Sequence, residues 1–266
     1  MREIEGAEVI GHDITTDEAA MIDAMIVELE ARADQEDTTV RFRAATWYDR
    51  IKEASVLCVG QGGIGSWTSL LISRMHPKNI FIMDDDVVGI ENMSGQLYRM
   101  SDIGKAKVDA LADTITEYSN YRNVMAMQQR FTEESDAYRI TICGFDNMEA
   151  RKVCFKKWIE LVYKLPIDQR AECVFIDGRL NAEKFQVITI KGTDYYAMKK
   201  YKEEYLFDDS AVADNICSYK QTTYCAAMIA SFMCNSLVNF LSNSDSRLVP
   251  FFQEYDASLM LLKQEL

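Results

Sequence analysis

The sequence of 266 residues predicts an α/β fold, a mostly parallel sheet with helices on both faces and antiparallel strands toward the C-terminal half. Three observations carry this expectation. Short apolar runs alternate with longer segments of helical periodicity through most of the chain. The first of those runs, 55–60, opens into a glycine turn that starts a helix. Only 3 prolines occur and no Gly/Ser-rich linker breaks the pattern, which favours one core domain, 41–266, behind an N-terminal helical extension, 1–40.

In chain order, residues 16–34 place apolar side chains at helical spacing between acids, with Thr16 positioned as a cap. Such an amphipathic helix would pack on the domain or on a second copy of it. Strand 55–60 then leads to helix 63–75, and strand 80–84 leads through a loop to a helix over 104–118. Short strands follow at 124–128 and 140–144, then a helix at 147–164. Strands 173–178 and 185–190, joined through "RLNAEK", read as an antiparallel pair. A polar stretch, 191–216, is expected as part of a mobile crossover loop over about 191–220 that enters a helix at 221–242. The apolar run Ala226–Phe240 contains Ser231, Asn235, Ser236 and Asn239, so it reads as a core helix rather than a membrane span.

Composition narrows the function classes. The apolar share of 48% supports a substantial core. The formal net charge is −13 with no evident basic patch, which argues against a general nucleic-acid binder. Seven cysteines stand at 58, 143, 154, 173, 217, 225 and 234, with no C-x-x-C pair and only two histidines, His12 and His76. This argues against a structural zinc site. An odd thiol count without a recognisable signal peptide points to reduced cysteines, a cytoplasmic setting and no membrane partner.

Gly60, Gly62 and Gly65 form a G-x-G-x-x-G turn at the end of the first strand. The turn brings backbone N–H groups and a helix N-terminus up to a phosphate, and Asp84, ending the second strand, is placed to accept hydrogen bonds from ribose hydroxyls. This is a Rossmann-like nucleotide site, and the spacing serves ATP as well as a dinucleotide.

Three further segments separate those ligands. The stretch 84–110 holds a D-x-D at Asp84 and Asp86, then Asn92, Gln96 and a G-x-x-K at Gly104–Lys107. The stretch 143–151, "CGFDNMEAR", ends a strand with Asp146 and sets Arg151 one turn into the next helix. "NICSYKQTTY", 215–224, places Cys217 just before the long apolar helix. Together these segments resemble the ThiF/MoeB superfamily, the adenylating enzymes related to ubiquitin-activating enzymes. The pattern there is G-x-G-G-[IL]-G, D-x-D-x-V-x-x-x-N-L-x-R-Q, G-x-x-K and D-N-x-x-x-R, and Gly63 supplies its third glycine here.

The resemblance covers about 40–240 and implies ATP on the glycine turn, with a carboxylate as the group activated. The expected acceptor is the C-terminal glycine of a small ubiquitin-like protein or a peptide. Acyl attack gathers negative charge on the α-phosphate and on the leaving pyrophosphate, so the chemistry needs cations and donors more than a base. Lys107 and a magnesium ion held by Asp146 would supply charge; Asn92 would donate, Gln96 would line the phosphate channel, and Arg151 would brace the Asp146 loop. The resemblance also implies a homodimer in which an arginine crosses to the partner's ATP, here Arg41 or, alternatively, Arg43. Cys217 matches the thioester cysteine of P-x-C-T-x-K, without the proline, and its bland alternative is a helix-start thiol like Cys225 and Cys234.

Two departures stand out. Gly95 replaces the arginine of N-L-x-R-Q, with Arg99 as the nearest substitute, and no zinc-binding C-x-x-C pairs are present. The loss at 95 keeps open an ATP-binding scaffold with weak chemistry that acts through a partner. An NAD-dependent oxidoreductase would explain Gly60–Gly65 and Asp84, but it leaves Asn92, Gln96, Lys107 and Asp146 without a role.

Overall fold

Five short apolar strands need cover on both faces, and the chain meets that need with parallel crossovers through helices. In the computed structural model, residues 38–207 and 221–266 are described. The chain divides into two units, Met1–Val40 and Arg41–Leu266, and every element named below belongs to the second. The helix expected over 16–34 and Cys217 lie outside the described residues.

The strands are β1 (Ser55–Val59), β2 (Asn79–Met83), β3 (Val124–Met127), β4 (Ile140–Cys143), β5 (Val174–Asn181), β6 (Lys184–Lys191), β7 (Phe252–Asp256) and β8 (Leu261–Glu265). They form one sheet in the order β3-β2-β1-β4-β5-β6-β7-β8. β3 through β5 pair in parallel, and β5 through β8 pair antiparallel. The order reverses between β1 and β4, so the crevice beyond their C-terminal ends is where an open α/β sheet takes a ligand.

The helices are α1 (Tyr48–Glu53), α2 (Gly63–Ser73), α3 (Lys107–Ser119), α4 (Met148–Lys164), α5 (Tyr195–Lys200) and α6 (Thr223–Ser242). Alternation along β1 splits the core. Val56 and Cys58 face a cluster with Ile72 of α2, Leu111 and Ile115 of α3, and Met233 and Leu237 of α6. Leu57 and Val59 face the opposite cluster, built around Phe155, Trp158 and Val162 of α4 with Met198 of α5. α6 is long and apolar enough to cross a membrane, but it packs against α2, β5 and β6 as a core helix.

Several boundaries differ from the sequence expectation. β5 and β6 run on through "RLNAEK" to a two-residue turn, where Asn181 pairs with Lys184 and Ala182 takes a positive φ of 55°. The segment expected as loop from 191 begins instead with α5, capped where the Asp194 carboxylate accepts from Ala197 N at 2.9 Å, and continues in a wide turn over Tyr201–Tyr205. Its inward stripe is narrow: Ala197, Met198 and Tyr201 are buried among exposed polar neighbours, so the stretch reads as polar. β8 is exposed along its whole length and carries no alternation, which hid it from a pattern search.

Candidate active site

The turn after β1 is held from three sides. Gly60 takes φ +78°, a conformation side chains resist, and its N–H donates to Met83 O at 2.9 Å. At Gly65 a Cβ would stand 1.9 Å from Gly60 O, so only glycine lets α2 begin this close to the turn. Ser66 Oγ donates to Gly62 O at 2.6 Å and accepts from Leu97 N at 3.0 Å, while Trp67 Nε1 donates to Gly95 O at 3.2 Å. The 89–98 loop is thereby stitched to the first turn of α2. Tyr98 Oη donates to Gln61 O at 2.6 Å, and burial, with help from Asp84, Asp86 and Asp102, raises its pKa so that it stays a donor.

Asp84 sits at the C-terminal end of β2. Its Oδ2 accepts from Gln61 N at 2.6 Å and its Oδ1 from Asp86 N at 2.9 Å. Burial pushes this carboxyl above its usual range, opposed by the Lys107 charge and both backbone donors. Asp84 thus fixes the glycine turn, and each oxygen retains a lone pair for a further donor. Asp86 is exposed and its Oδ2 lies 2.8 Å from Lys107 Nζ, whereas Lys107 is buried at the first position of α3. Asp84, Asp85 and Asp86 cluster here, with backbone N–H groups on Asp84, Arg130 on Asp85 and Lys107 on Asp86.

Asn92 is buried, with Oδ1 accepting from Gly89 N at 2.8 Å, which leaves its amide donors for another partner. Gln96 Oε1 is buried without a hydrogen-bond partner. Both side chains expected at the phosphate channel therefore carry unspent polar capacity. Arg99 does not replace the missing arginine at 95: it is paired with Asp102 and Glu117 and donates to Thr114 Oγ1 at 3.3 Å, turned onto α3.

On the other side of the crevice, Asp146 is exposed just beyond β4, and no lysine or arginine pairs with it among the described residues. Asn147 caps α4, its Oδ1 accepting from Ala150 N at 2.8 Å. Arg151 braces this loop by donating to Phe145 O, and it also donates to Gly178 O at 3.0 Å and Asp177 Oδ1 at 3.0 Å. Asp177, which sequence reasoning missed, is fully buried on β5 and also accepts from Arg179 Nε at 2.7 Å and Tyr201 Oη at 2.9 Å. Burial works to raise its pKa, but the Arg151 and Arg179 guanidiniums hold it below the usual carboxylate range. The only sequence signal was an acid ending an apolar strand, the same signal that marked Asp84.

The structure brings together Gly60, Gly62, Gly63, Gly65, Asp84, Asp86 and Lys107, with Asn92 and Gln96 on the adjoining loop and Asp146 across the crevice. Arg41 is exposed in the short Val40–Phe42 turn and makes no hydrogen bond or ion pair among the described residues.

The profile of the ThiF family matches residues 35–265. The chain is 33% identical over 119 residues to a probable molybdopterin-synthase adenylyltransferase of Porphyra purpurea, covering 42% of this chain and 31% of that protein. It is 31% identical over 93 residues to ubiquitin-like modifier-activating enzyme 5 of Drosophila persimilis, covering 35% and 24%. In both cases the chain spans less than a third of the relative's length. Among solved structures, E. coli MccB with ATP shares the fold at a TM-score of 0.65 and 13% identity, covering 83% of this chain and 66% of that one.

Proposed function

The chain belongs to the ThiF family, and from that membership we propose that it activates a carboxylate by adenylation. A carboxylate oxygen attacks the α-phosphorus of MgATP, the bond to the β-phosphate breaks, and pyrophosphate leaves with the bonding pair. The products are an acyl-adenylate and pyrophosphate. One observation carries the reading: Lys107 is buried at a helix N-terminus, where the dipole disfavours a cation, paired with Asp86 and close enough to Asp84 for its charge to act on that carboxyl. An anion arriving at the crevice would meet that cation.

Each residue then has a chemical task. Backbone N–H groups at Gly62, Gly63 and the start of α2 cradle phosphate oxygens. Asp84 offers its remaining lone pairs to the ribose. Asn92 donates, and Gln96 lines the channel. Lys107 offsets charge that grows on the phosphates in the transition state. The exposed carboxylate of Asp146, which accepts from Asn147 Nδ2, fits the magnesium that accompanies ATP, which would neutralise phosphate charge there.

The acyl group is read as the C-terminus of a small ubiquitin-like protein or peptide, in keeping with the modifier-activating relative. Two copies assemble as a homodimer, Arg41 of one reaching the ATP of the other, with Arg43 as the alternative. Cys217 then takes the acyl group as a thioester, its thiolate displacing AMP. The six described cysteines are free and buried, which suits a reducing, cytoplasmic setting.

Pyrophosphate exchange tests the reading. Labelled pyrophosphate should enter ATP only when the acyl acceptor is present. Binding without exchange would instead favour an ATP-holding scaffold. MgATP at a hundredfold excess over Kd should stabilise the fold by about 2.7 kcal/mol; equal stabilisation by NAD would overturn the nucleotide assignment.

A further inference from the structure

Gln221, which enters α6, lies across the first turn of α2. A Cβ built on Gly63 would stand 2.0 Å from Gln221 Oε1. One built on Gly95 would meet Nε2, Cδ and Cγ of the same side chain at 2.7, 2.8 and 2.9 Å. The carboxamide is therefore sandwiched between the glycine turn and the loop that follows β2. Gly62, one residue earlier, has nothing within 4 Å of its Cβ direction. The face of the turn is thus open at Gly62 and walled at Gly63, and the wall is an amide.

That amide makes its contacts by packing alone among the described residues. It forms no hydrogen bond with any described residue, although a carboxamide carries two donors and two acceptor lone pairs. Gly95 does not need to be glycine for its backbone, since its φ is −144°; what excludes a side chain there is Gln221 itself. Arg99, the nearest cation on that loop, is bound to Asp102 and Glu117.

We infer that Gln221 is a phosphate-contacting residue, its carboxamide donating Nε2–H to an oxygen of the triphosphate seated over Gly62. A half-turn about the terminal bond exchanges Oε1 and Nε2 without moving the rest of the side chain. The donor that the loop lacks at 95 comes instead from the residue just ahead of the α6 cap, through the space that Gly63 and Gly95 leave. The inference rests on the adenylation reading, because it needs an anion at the start of α2.

The test measures the affinity of the purified full chain for MgATP and for adenosine. A hydrogen bond to a charged oxygen is worth about 1.5–3 kcal/mol, so Gln221→Ala should weaken MgATP by about tenfold or more. Adenosine, which lacks phosphate, should bind as before. Gln221→Glu keeps the shape but turns an anion toward an anion, and should weaken MgATP further than alanine does. Gly95→Ala should displace the carboxamide and cost MgATP affinity in the wild-type chain, yet cost nothing in the Gln221→Ala background. Unchanged MgATP affinity in Gln221→Ala, or an equal loss for adenosine, overturns the role. So does additivity of Gly95→Ala with Gln221→Ala. A wild-type chain that binds no MgATP sinks the adenylation reading itself, whereas a binding wild type with unaltered variants sinks only the part given to Gln221.

Discussion

Lys107 Nζ lies 2.8 Å from Asp86 Oδ2, and the two side chains differ sharply in exposure, 7% for the lysine and 64% for the aspartate. The exposed partner can be resolvated by water if the pair is broken, so the pair adds little stability. Lys107→Gln should therefore leave the melting temperature nearly unchanged and lower pyrophosphate exchange about 10²–10³-fold, the usual cost of losing one transition-state charge partner. A variant that exchanges normally would leave Lys107 as a loop tether.

Adjacent residues at the start of α4 should separate function from stability. Asp146 is exposed and unpaired with any cation among the described residues, while Asn147 caps the helix. Asp146→Ala should abolish magnesium-dependent exchange with stability in urea unchanged. Asn147→Ala should cost about 1 kcal/mol of stability. Denaturation and exchange measured on both variants check this; equal behaviour of the pair would contradict it.

Removing the Asp177 charge leaves the buried guanidinium of Arg151 without its carboxylate. Asp177→Asn should destabilise by about 3–5 kcal/mol, since breaking one side of a buried pair strands the other. The pH dependence has a definite sign. The folded-state pKa of Asp177 is depressed, so its stabilisation is fully present above the unfolded value of about 3.9 and fades as pH falls through the folded value. Stability measured from pH 7 downward should drop below about pH 4 in the wild type and do so less steeply in the variant.

Subunit complementation tests the dimer. Arg41→Ala should bind MgATP yet exchange poorly, because Arg41 would serve the partner's site. Mixing it with Asp146→Ala chains should restore part of the turnover after exchange of subunits. Light scattering that finds a monomer at micromolar concentration, or mixtures no more active than their parts, would end this proposal.

What the sequence made legible was placement tied to short spacings. The turn at Gly60–Gly65, Asp84 at a strand end, Lys107 in its G-x-x-K and Asp146 before a capping Asn147 all sit at junctions where strand passes to helix. Local pattern marks such junctions. Asp177 escaped because two of its partners, Arg151 on α4 and Tyr201 beyond α5, lie more than 20 residues away and meet it only once the chain has folded. Gln221 escaped for a related reason: its neighbours Gly63 and Gly95 lie far away in the chain, and nothing near position 221 signals them. β8 was missed on other grounds, because an antiparallel edge with exposed side chains has little periodicity to read.

Six of the seven cysteines lie buried in the core, and burial raises the thiol of Cys58 to about 12 and that of Cys173 to about 11. A maleimide or an iodoacetamide dye added to the native protein at neutral pH meets almost no thiolate at those positions. The six described thiols are thus shielded in the native chain without any engineering. Conjugation at these six positions in the unmodified chain would therefore report opening of the core rather than any event at the nucleotide crevice.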